Sequence, residues 1–300
     1  MADGLYNISV KETENNAQGF LLVDKKEGWT STDVDRQAKK IFHQRRVGHL
    51  GTLDPFATGL LILAIGEMTK FLPLLDDRWK VYRAKLVLGT STATGDSSGD
   101  ILAEKEVPPL TKEEINLALK SLLGKSMQVP PMYSAKRING ERAYDLARQG
   151  KDVHLSPQEI EVSEIFLIDY DEDRKAITFQ AMVSKGTYLR TLGMDIAHRL
   201  KTEGHLAQLR RLQVGPYLVK DAIDILEANR ENLLPLTKVL EDCRALPLSD
   251  ENLVRAKNGS TLFLSPQSAF LLVEDQDRQP IALYQRKGKV YHCVRGFRHD

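Results

Sequence analysis

The stretch Val47–Leu60 constrains this chain more than any other, because glycines and a proline surround two potentially functional side chains, His49 and Asp54. Pro55 biases Asp54 toward extended backbone, and glycines permit backbone angles and close approaches that other residues resist. The apolar run Leu60–Ile65 follows and predicts a strand. We therefore expect an irregular loop that holds the Asp54 carboxylate at a fixed angle on a rigid scaffold, where catalytic groups tend to lie.

The residues of this stretch also have a simpler interpretation. An aspartate before a proline is often a turn residue that bonds its own backbone. A single histidine between glycines is a weak indicator of a site. Taken alone, the stretch leaves a catalytic loop and an ordinary turn both open.

Composition limits the class of protein. The net charge is +1 with 28% charged residues, so any nucleic-acid surface is a local patch. The two cysteines, Cys243 and Cys293, lack metal-ligand spacing, which argues against a disulfide scaffold or a zinc site. The first residues do not have the pattern of a signal peptide, and the longest apolar run is far shorter than the ~20 residues of a membrane span. We expect a cytoplasmic protein that has no membrane association.

Several helices and strands can be predicted in order along the chain. Thr32 and Asp35 are spaced as a capping box at a helix start. Trp79–Leu88 has strand composition, and Thr111 with Glu114 begins a second helix. Further predictions are a helix over Glu141–Gln149, a strand over Ile177–Val183 and a helix that begins near Tyr188.

The chain divides into three predicted parts. Residues 1–18 are polar and predict a flexible tail, and residues 19–245 form the main domain. From residue 246 to 300 a short helix and three short strands with polar turns predict a small β-rich domain.

A series of segments along the chain can be compared with known families. They are GWTSTDV, GHLGTLDPFATGLL, GEMTK, VYRA, ATGDSSGD, PPMYSA, ERAYDLARQG, SKGTYLRTLGMDIA and HLAQLRRLQVGPY. In type and order, these segments resemble those of the TruB-type tRNA pseudouridine synthases. The resemblance extends from Gly19 to the end of the chain. It departs from the family at Lys136, where an aliphatic residue is usual, and in the N-terminal tail.

The resemblance implies a fold and an activity. The expected fold class is α/β (α+β), a mixed and largely antiparallel sheet flanked by helices, followed by a small PUA-like RNA-binding domain. The expected activity is isomerisation of uridine 55 to pseudouridine in the T loop of tRNA. The expected partner is the tRNA T stem-loop, with no cofactor, no metal and no protein partner, and the protein is expected to be a monomer.

The resemblance also implies roles for individual residues. Asp54 is the catalytic carboxylate, and a carboxylate suits glycosidic cleavage because positive charge develops at C1′ of the ribose. Arg190 is its supporting partner. The expected substrate-binding residues are His49, which enters the T loop, Tyr82, which stacks on the base, Tyr188, which lies on its other side, and Leu209, which lines the pocket. Expected phosphate contacts are Lys70, Lys136, Arg137, Arg210 and Arg211.

Alternatives remain at this stage. Whether Asp54 attacks C1′ or removes a ribose proton is open. Tyr82 and Leu209 could be core residues, and Arg190 could be a surface cation on its helix. The chain could instead be an RNA chaperone of the tRNA elbow with secondary or lost catalysis, or an RNA-guided relative that requires partner proteins.

Overall fold

The computed structural model describes residues 17–133, 137–138, 141–142, 155–265 and 267–297. A nine-stranded sheet forms the main body. Seven of its strands lie side by side in the order β1 (Gly19–Lys25), β3 (Thr58–Ile65), β12 (Gly204–Val214), β4 (Trp79–Leu88), β11 (Ala176–Ser184), β10 (Gln158–Asp171) and β7 (Gly124–Gln128). The other two, β2 (Val47–Leu50) and β13 (Tyr217–Leu218), pair with β3 and β12. The paired strands of this sheet are antiparallel except β3 and β12, which confirms the predicted mixed, largely antiparallel sheet.

Helices and smaller sheets complete the described part of the chain. The α-helices are α1 (Ser31–Ile41), α2 (Lys112–Lys120), α3 (Leu189–Arg199), α4 (Leu236–Val239) and α5 (Asp250–Lys257). The 3₁₀ helices span Gly66–Leu74, Val219–Asp221, Ile225–Glu227 and Arg230–Asn232. Two hairpins pair β5 (Thr90–Thr92) with β6 (Ile101–Glu104) and β8 (Arg137–Ile138) with β9 (Glu141–Arg142). A separate sheet contains β14 (Cys243–Pro247), β15 (Phe270–Glu274), β16 (Pro280–Lys287) and β17 (Val290–Gly296).

Residues Leu60–Ile65 of β3 are all apolar because both faces of the strand are buried. Side chains alternate between the faces of a strand. Leu60 and Ile62 therefore join one core cluster, which extends to the C-terminal sheet, while Leu61 and Leu63 join another under α1. The apolar sequence thus places the strand that follows the Asp54 loop in the centre of the protein.

A third core cluster lies between the sheet and two helices. Ile115 and Leu119 of α2, with Leu192 and Ile196 of α3, pack against the sheet face that carries Ala84 and Phe179, among other residues. The packing holds the N-terminal end of α3 against the middle of the sheet.

Helix α1 begins two residues earlier than the sequence predicts. The capping box uses Thr30 and Asp33, whose side chains bond each other's backbone N–H groups. Ser31 lies inside the helix because its hydroxyl is held by the main chain of Leu53, donating to the carbonyl at 3.2 Å and accepting from the N–H at 2.9 Å. The predicted Thr32–Asp35 box is therefore wrong by two residues.

The region around residue 141 differs from its prediction. Glu141–Arg142 pairs with Arg137–Ile138 as a strand, so a helix does not begin at Glu141. The remainder of the predicted helix lies outside the described residues, as do Lys136 and residues 1–16 of the predicted tail.

The C-terminal sheet confirms the predicted β-rich C-terminal part. Its first strand, Cys243–Pro247, spans the boundary expected after residue 245. Leu272 and Leu283 of this sheet share a core cluster with Leu60 of β3, and the rings of Phe71 and Phe297 lie 5.2 Å apart. The two sheets are therefore joined by one continuous core. Within the described residues, no helix is long and apolar enough to span a membrane.

Candidate active site

The Asp54 loop connects β2 to β3 beside a split in the sheet. One edge of β3 pairs along its length with β1, whereas its other edge is shared by β2 and by β12. β12 meets β3 only through Arg210 and Arg211, opposite Thr58 and Gly59. The loop therefore leaves the sheet at the point where β3 and β12 separate.

Gly59 makes the close approach of β12 possible. Its φ of +100° disfavours a side chain, and a Cβ there would lie 2.2 Å from the carbonyl oxygen of Arg211. Any larger residue would have to displace the backbone of β12.

Arg211 holds both ends of the loop from behind. Its side chain is 1% exposed, and it donates to the carbonyl of Gly51 at 2.8 Å and to that of Leu60 at 2.7 Å. The expectation of a phosphate contact is wrong for Arg211, because its guanidinium is buried under the loop.

Lys25 supports the middle of the loop from β1. Its ammonium donates to the carbonyls of Trp29 at 2.6 Å and Pro55 at 3.3 Å. Burial lowers the pKa of Lys25 to about 8, and the Asp54 carboxylate acts against that shift. The loop thus rests on two buried cations.

Asp54 and Arg190 form an ion pair, although 136 positions separate them in the chain. Arg190 Nε lies 2.9 Å from Asp54 Oδ2, and its Nη2 donates to Oδ1 at 3.3 Å, so the contact is bidentate. The Arg190 side chain is 4% exposed and that of Asp54 is 37% exposed. Arg190 is therefore a buried partner of the carboxylate, and the alternative of a surface cation is excluded.

Other groups fix the Arg190 guanidinium in place. It donates to the carbonyl oxygens of Thr94 and Tyr133, each at 2.7 Å, and lies 3.8 Å from Asp96 Oδ2. Asp96 in turn accepts from the N–H of Ser98 at 2.9 Å. Arg190 is thus held in one orientation toward Asp54.

Asp54 combines opposing electrostatic influences. Burial raises the pKa of its carboxyl above the ordinary value, the Arg190 guanidinium lowers it, and the Asp96 charge raises it further. Because the net shift is upward, the Asp54 carboxyl gains its proton at a higher pH than a free aspartate.

His49 lies beside the loop with both ring nitrogens engaged. Nδ1 is 2.8 Å from Asp35 Oδ2 on α1, and Nε2 is 3.0 Å from the Thr52 hydroxyl. The side chain is 16% exposed. These two contacts fix the orientation of the ring, which belongs to the third residue of β2.

Tyr82 and Leu209 come together under the loop. Both belong to the core cluster that also contains Leu53 and Ala57 of the loop, and they are 7% and 6% exposed. Ala84 lies opposite Leu209 across the β4–β12 pair. Both residues are therefore core residues in the cluster that contains Leu53 and Ala57 of the loop.

Tyr188 lies at the start of the helix that carries Arg190. It is the N-cap residue of α3, two positions before Arg190, and it is partly exposed. The turn and helix start predicted around it are confirmed by the strand β11, which ends at Ser184, and by α3, which begins at Leu189.

The structure places the remaining predicted cations away from Asp54. Lys70 and Arg46 both pair with Glu67 in the 3₁₀ segment. Arg210 forms a bidentate pair with Asp24, at 2.9 and 2.6 Å. Within the described part of the chain, neither Lys70 nor Arg210 contacts Asp54. For Arg137 only the backbone is described, and Lys136 lies outside the described residues.

The supporting roles of several residues of the site were missed in the sequence, including that of Arg211, which was expected to contact phosphate. Arg211 and Lys25 are charged residues of types that usually lie at the surface. Their partners are mainly backbone carbonyls, which leave no signal in a sequence. Asp96 lies in a segment whose Gly, Ser and Thr content predicts only a turn. The signal available was its position two residues before Ser98, because an aspartate side chain commonly accepts a hydrogen bond from the backbone N–H two residues on. Among the described residues, no group of three His, Cys, Asp or Glu residues could hold a metal.

Comparison with solved structures defines the fold class of the protein. The solved structure described as a Cbf5–Nop10–Gar1 complex superposes with a TM-score of 0.65 at 20% identity, covering 93% of this chain and 84% of that chain. An H/ACA RNP bound to a substrate RNA containing 2′-deoxyuridine gives a TM-score of 0.64 at 19% identity. The fold is that of a pseudouridine synthase.

Sequence comparison gives the family. Residues 39–189 match the model of the TruB family pseudouridylate synthase (N terminal domain). The chain is 41% identical to tRNA pseudouridine synthase B of Gluconacetobacter diazotrophicus over 82% of this chain and 83% of that protein. It is 38% identical to the protein of the same name from Thermotoga maritima over 82% of this chain and 80% of that protein. The chain belongs to the TruB family of pseudouridylate synthases.

Proposed function

We propose that this chain isomerises uridine 55 to pseudouridine in the T loop of tRNA, with Asp54 as the catalytic carboxylate. The observation that carries the proposal is the ion pair of Asp54 and Arg190, at 2.9 Å, in a chain of this family. The tRNA substrate is supported by the relatives named tRNA pseudouridine synthase B, which align with most of the chain.

The geometry suits the chemistry of the reaction. Uracil leaves C1′ of the ribose, turns, and rejoins the sugar through C5, so positive charge develops at C1′ when the N1–C1′ bond breaks. A carboxylate near C1′ stabilises that charge, or captures it by forming a bond. Arg190 lowers the pKa of the Asp54 carboxyl and so favours its ionised form, which opposes the effect of burial. Either attack on C1′ or removal of a ribose proton uses the same ionised oxygen.

The remaining residues hold the base and the loop of RNA. A base stacked within a folded loop must be flipped out before its glycosidic bond is accessible, at a cost of about a few kcal/mol. We assign to His49 the role of entering the space that the flipped base leaves. Tyr82 and Tyr188 form the two walls against the uracil, because aromatic faces hold a base without fixing its rotation in the plane. Leu209 lines the pocket beside Tyr82, since both lie in the core cluster under the loop.

The C-terminal sheet extends the RNA surface. We assign it the role of a PUA-like module that holds the tRNA outside the T loop, and Lys70 and Arg210 the role of phosphate contacts on the RNA backbone. The enzyme acts as a monomer in the cytoplasm and needs no protein partner or cofactor for this reaction.

Mapping of pseudouridine tests the proposal directly. Purified protein is incubated with an unmodified tRNA transcript, and every modified position is identified. Pseudouridine at position 55 alone is the expected result. Tight binding of tRNA without product would favour the chaperone interpretation, and product at other positions would refute the specificity.

Tyr82→Leu is expected to slow the chemical step about 100-fold while the Kd for tRNA changes less than about threefold. The reason is that leucine fills the core position but removes the aromatic wall on which the base turns. Single-turnover rates with saturating tRNA, together with filter binding, separate the two effects. A normal single-turnover rate in this variant would show that Tyr82 does not hold the reacting base.

The acid limb of the pH–rate profile is expected to lie above the ordinary carboxyl pKa of about 4. Both mechanisms require ionised Asp54, so the rate is full above the pKa of that carboxyl and is lost as the pH falls through it. Burial raises that pKa, and Arg190 opposes the shift. Arg190→Met is therefore expected to move the acid limb to higher pH, and Arg190→Lys to move it less, in single-turnover profiles.

The profile needs one control, since acid could weaken tRNA binding instead. Binding measured across the same pH range is expected to be unchanged between the two Arg190 variants. An acid limb at the same pH in wild type and Arg190→Met would contradict the pairing of Arg190 with the catalytic carboxylate.

A further inference from the structure

Gln128 is a buried polar residue at the end of an exposed strand. The first four residues of β7, Gly124–Met127, are exposed, whereas Gln128 is 3% exposed. β7 is the outermost strand of the sheet and pairs on one side with β10. A glutamine is buried only when its amide is hydrogen-bonded, so the partners of Gln128 define what it does.

Both partners of the Gln128 amide belong to one residue. The N–H of Tyr188 donates to Gln128 Oε1 at 2.8 Å, and Gln128 Nε2 donates to the carbonyl of Tyr188 at 3.2 Å. The amide therefore holds the peptide groups on both sides of the Tyr188 Cα, 60 positions away in the chain. This fixes the direction in which the Tyr188 side chain leaves the backbone.

The side chain of Tyr188 does not cap its own helix. Tyr188 is the N-cap of α3, and its own side chain makes no capping hydrogen bond. N-terminal N–H groups of a helix have no partner within the helix and need one from elsewhere. Gln128 supplies the hydrogen-bond acceptor for the N–H of Tyr188. The orientation of Tyr188 therefore depends on a residue of β7.

The chain that follows Gln128 reaches the catalytic pair. Pro130 and Pro131 restrict the backbone here, and the carbonyl of Tyr133 accepts from Arg190 at 2.7 Å. Residues 128–133 therefore contact Tyr188 at one end and Arg190 at the other. This segment and the start of α3 are tied together at both ends.

We infer that Gln128 is a positioning residue, which holds the Tyr188 ring at the angle needed against the reacting uracil. The inference rests on the proposed function, because it assigns to Tyr188 a wall of the uracil pocket. Gln128 is buried with its amide bonded to the backbone of Tyr188, so it acts on the rate through Tyr188.

Gln128→Met tests the inference, because methionine has a similar size and cannot form either hydrogen bond. With saturating tRNA, the single-turnover rate is expected to fall about tenfold, the consequence of losing hydrogen bonds and leaving a buried N–H unpaired. The Kd for tRNA is expected to stay within about twofold. Gln128→Asn keeps the amide on a shorter side chain, so its rate is expected to lie between those of wild type and Gln128→Met.

Gln158→Met is the matched control. Gln158 lies opposite Gln128 across the β7–β10 pair, and it donates to the carbonyl of Gly186 at 2.6 Å. It therefore supports the same turn two residues before Tyr188. Its substitution is expected to change the rate less than about twofold. An equal loss in both variants would show a general effect of turn stability and overturn the inference.

A double-mutant cycle separates positioning from a purely structural role. In a Tyr188→Leu background no ring remains to be positioned, so adding Gln128→Met is expected to slow the reaction less than about twofold further. If the double variant is slowed by the product of the two separate effects, the inference is overturned. If wild type forms no pseudouridine, the proposed function itself fails. A Gln128→Met rate equal to that of an active wild type refutes only the role of Gln128.

Discussion

Asp54→Asn is expected to reduce pseudouridine formation by at least about 1,000-fold, to a level not distinguishable from background. Asparagine has nearly the shape of aspartate and still offers one oxygen to Arg190. It carries no charge, so it can neither stabilise a cation at C1′ nor attack it, and it cannot take a ribose proton. Pseudouridine mapping under single-turnover conditions gives the measurement.

Binding of tRNA should survive this substitution. The Kd is expected to stay within about tenfold, since one side chain at the centre of a large RNA surface contributes little to affinity when its charge repels phosphate. Asp76→Asn is the matched control, because Asp76 is a surface carboxylate paired with Arg78, and its rate should equal that of wild type. Turnover by Asp54→Asn at a tenth of the normal rate would exclude Asp54 as the catalytic group.

Gly59→Ala is expected to destabilise the protein by about 4 kcal/mol or more. The added Cβ would lie 2.2 Å from the carbonyl oxygen of Arg211 and 2.8 Å from its nitrogen, and φ at this position is +100°. Backbone atoms of a central strand cannot move aside as a flexible side chain can. Urea unfolding followed by circular dichroism measures the loss, and any folded fraction should show a displaced Asp54 loop and low activity.

Gly48→Ala is the appropriate comparison for that experiment. Gly48 lies in β2, close to the same loop, but its φ is not in the left-handed region and the nearest atom to an added Cβ is 3.6 Å away. The free energy of unfolding should change by less than about 1 kcal/mol. Equal stability of Gly59→Ala and wild type would mean that β3 and β12 do not approach as closely as described.

The sequence predicts the local features of this site and, through the family resemblance, one long-range contact. The continuous apolar run predicts β3, because a strand buried on both faces needs apolar residues throughout. The alternating pattern predicts β4, because burial on one face requires apolar residues only at every second position. The motif around Asp54 identifies the carboxylate, and the resemblance pairs it with Arg190. Neither composition nor periodicity could supply that pair, since the two residues are 136 positions apart.

What the sequence could not supply is the support behind the Asp54 loop and behind Tyr188. Arg211, Lys25 and Gln128 are polar residues that hydropathy assigns to the surface, yet each is buried because backbone groups of distant segments satisfy it. The start of α1 shows the same limit at short range. Thr30–Asp33 and Thr32–Asp35 have equivalent spacing, and the contact of Ser31 with Leu53 selects the first.

The core shared by the two sheets has a consequence for how RNA is selected. Leu272 and Leu283 pack with Leu60, six residues after Asp54, and Phe297 packs on Phe71. Under the proposed function, a nucleic acid held on the C-terminal sheet is therefore held at a constant distance from Asp54. An enzyme with RNA held in this way is expected to select its substrate by length as well as by shape. An RNA whose arm is one base pair too long or too short would present a different nucleotide, or none, to Asp54.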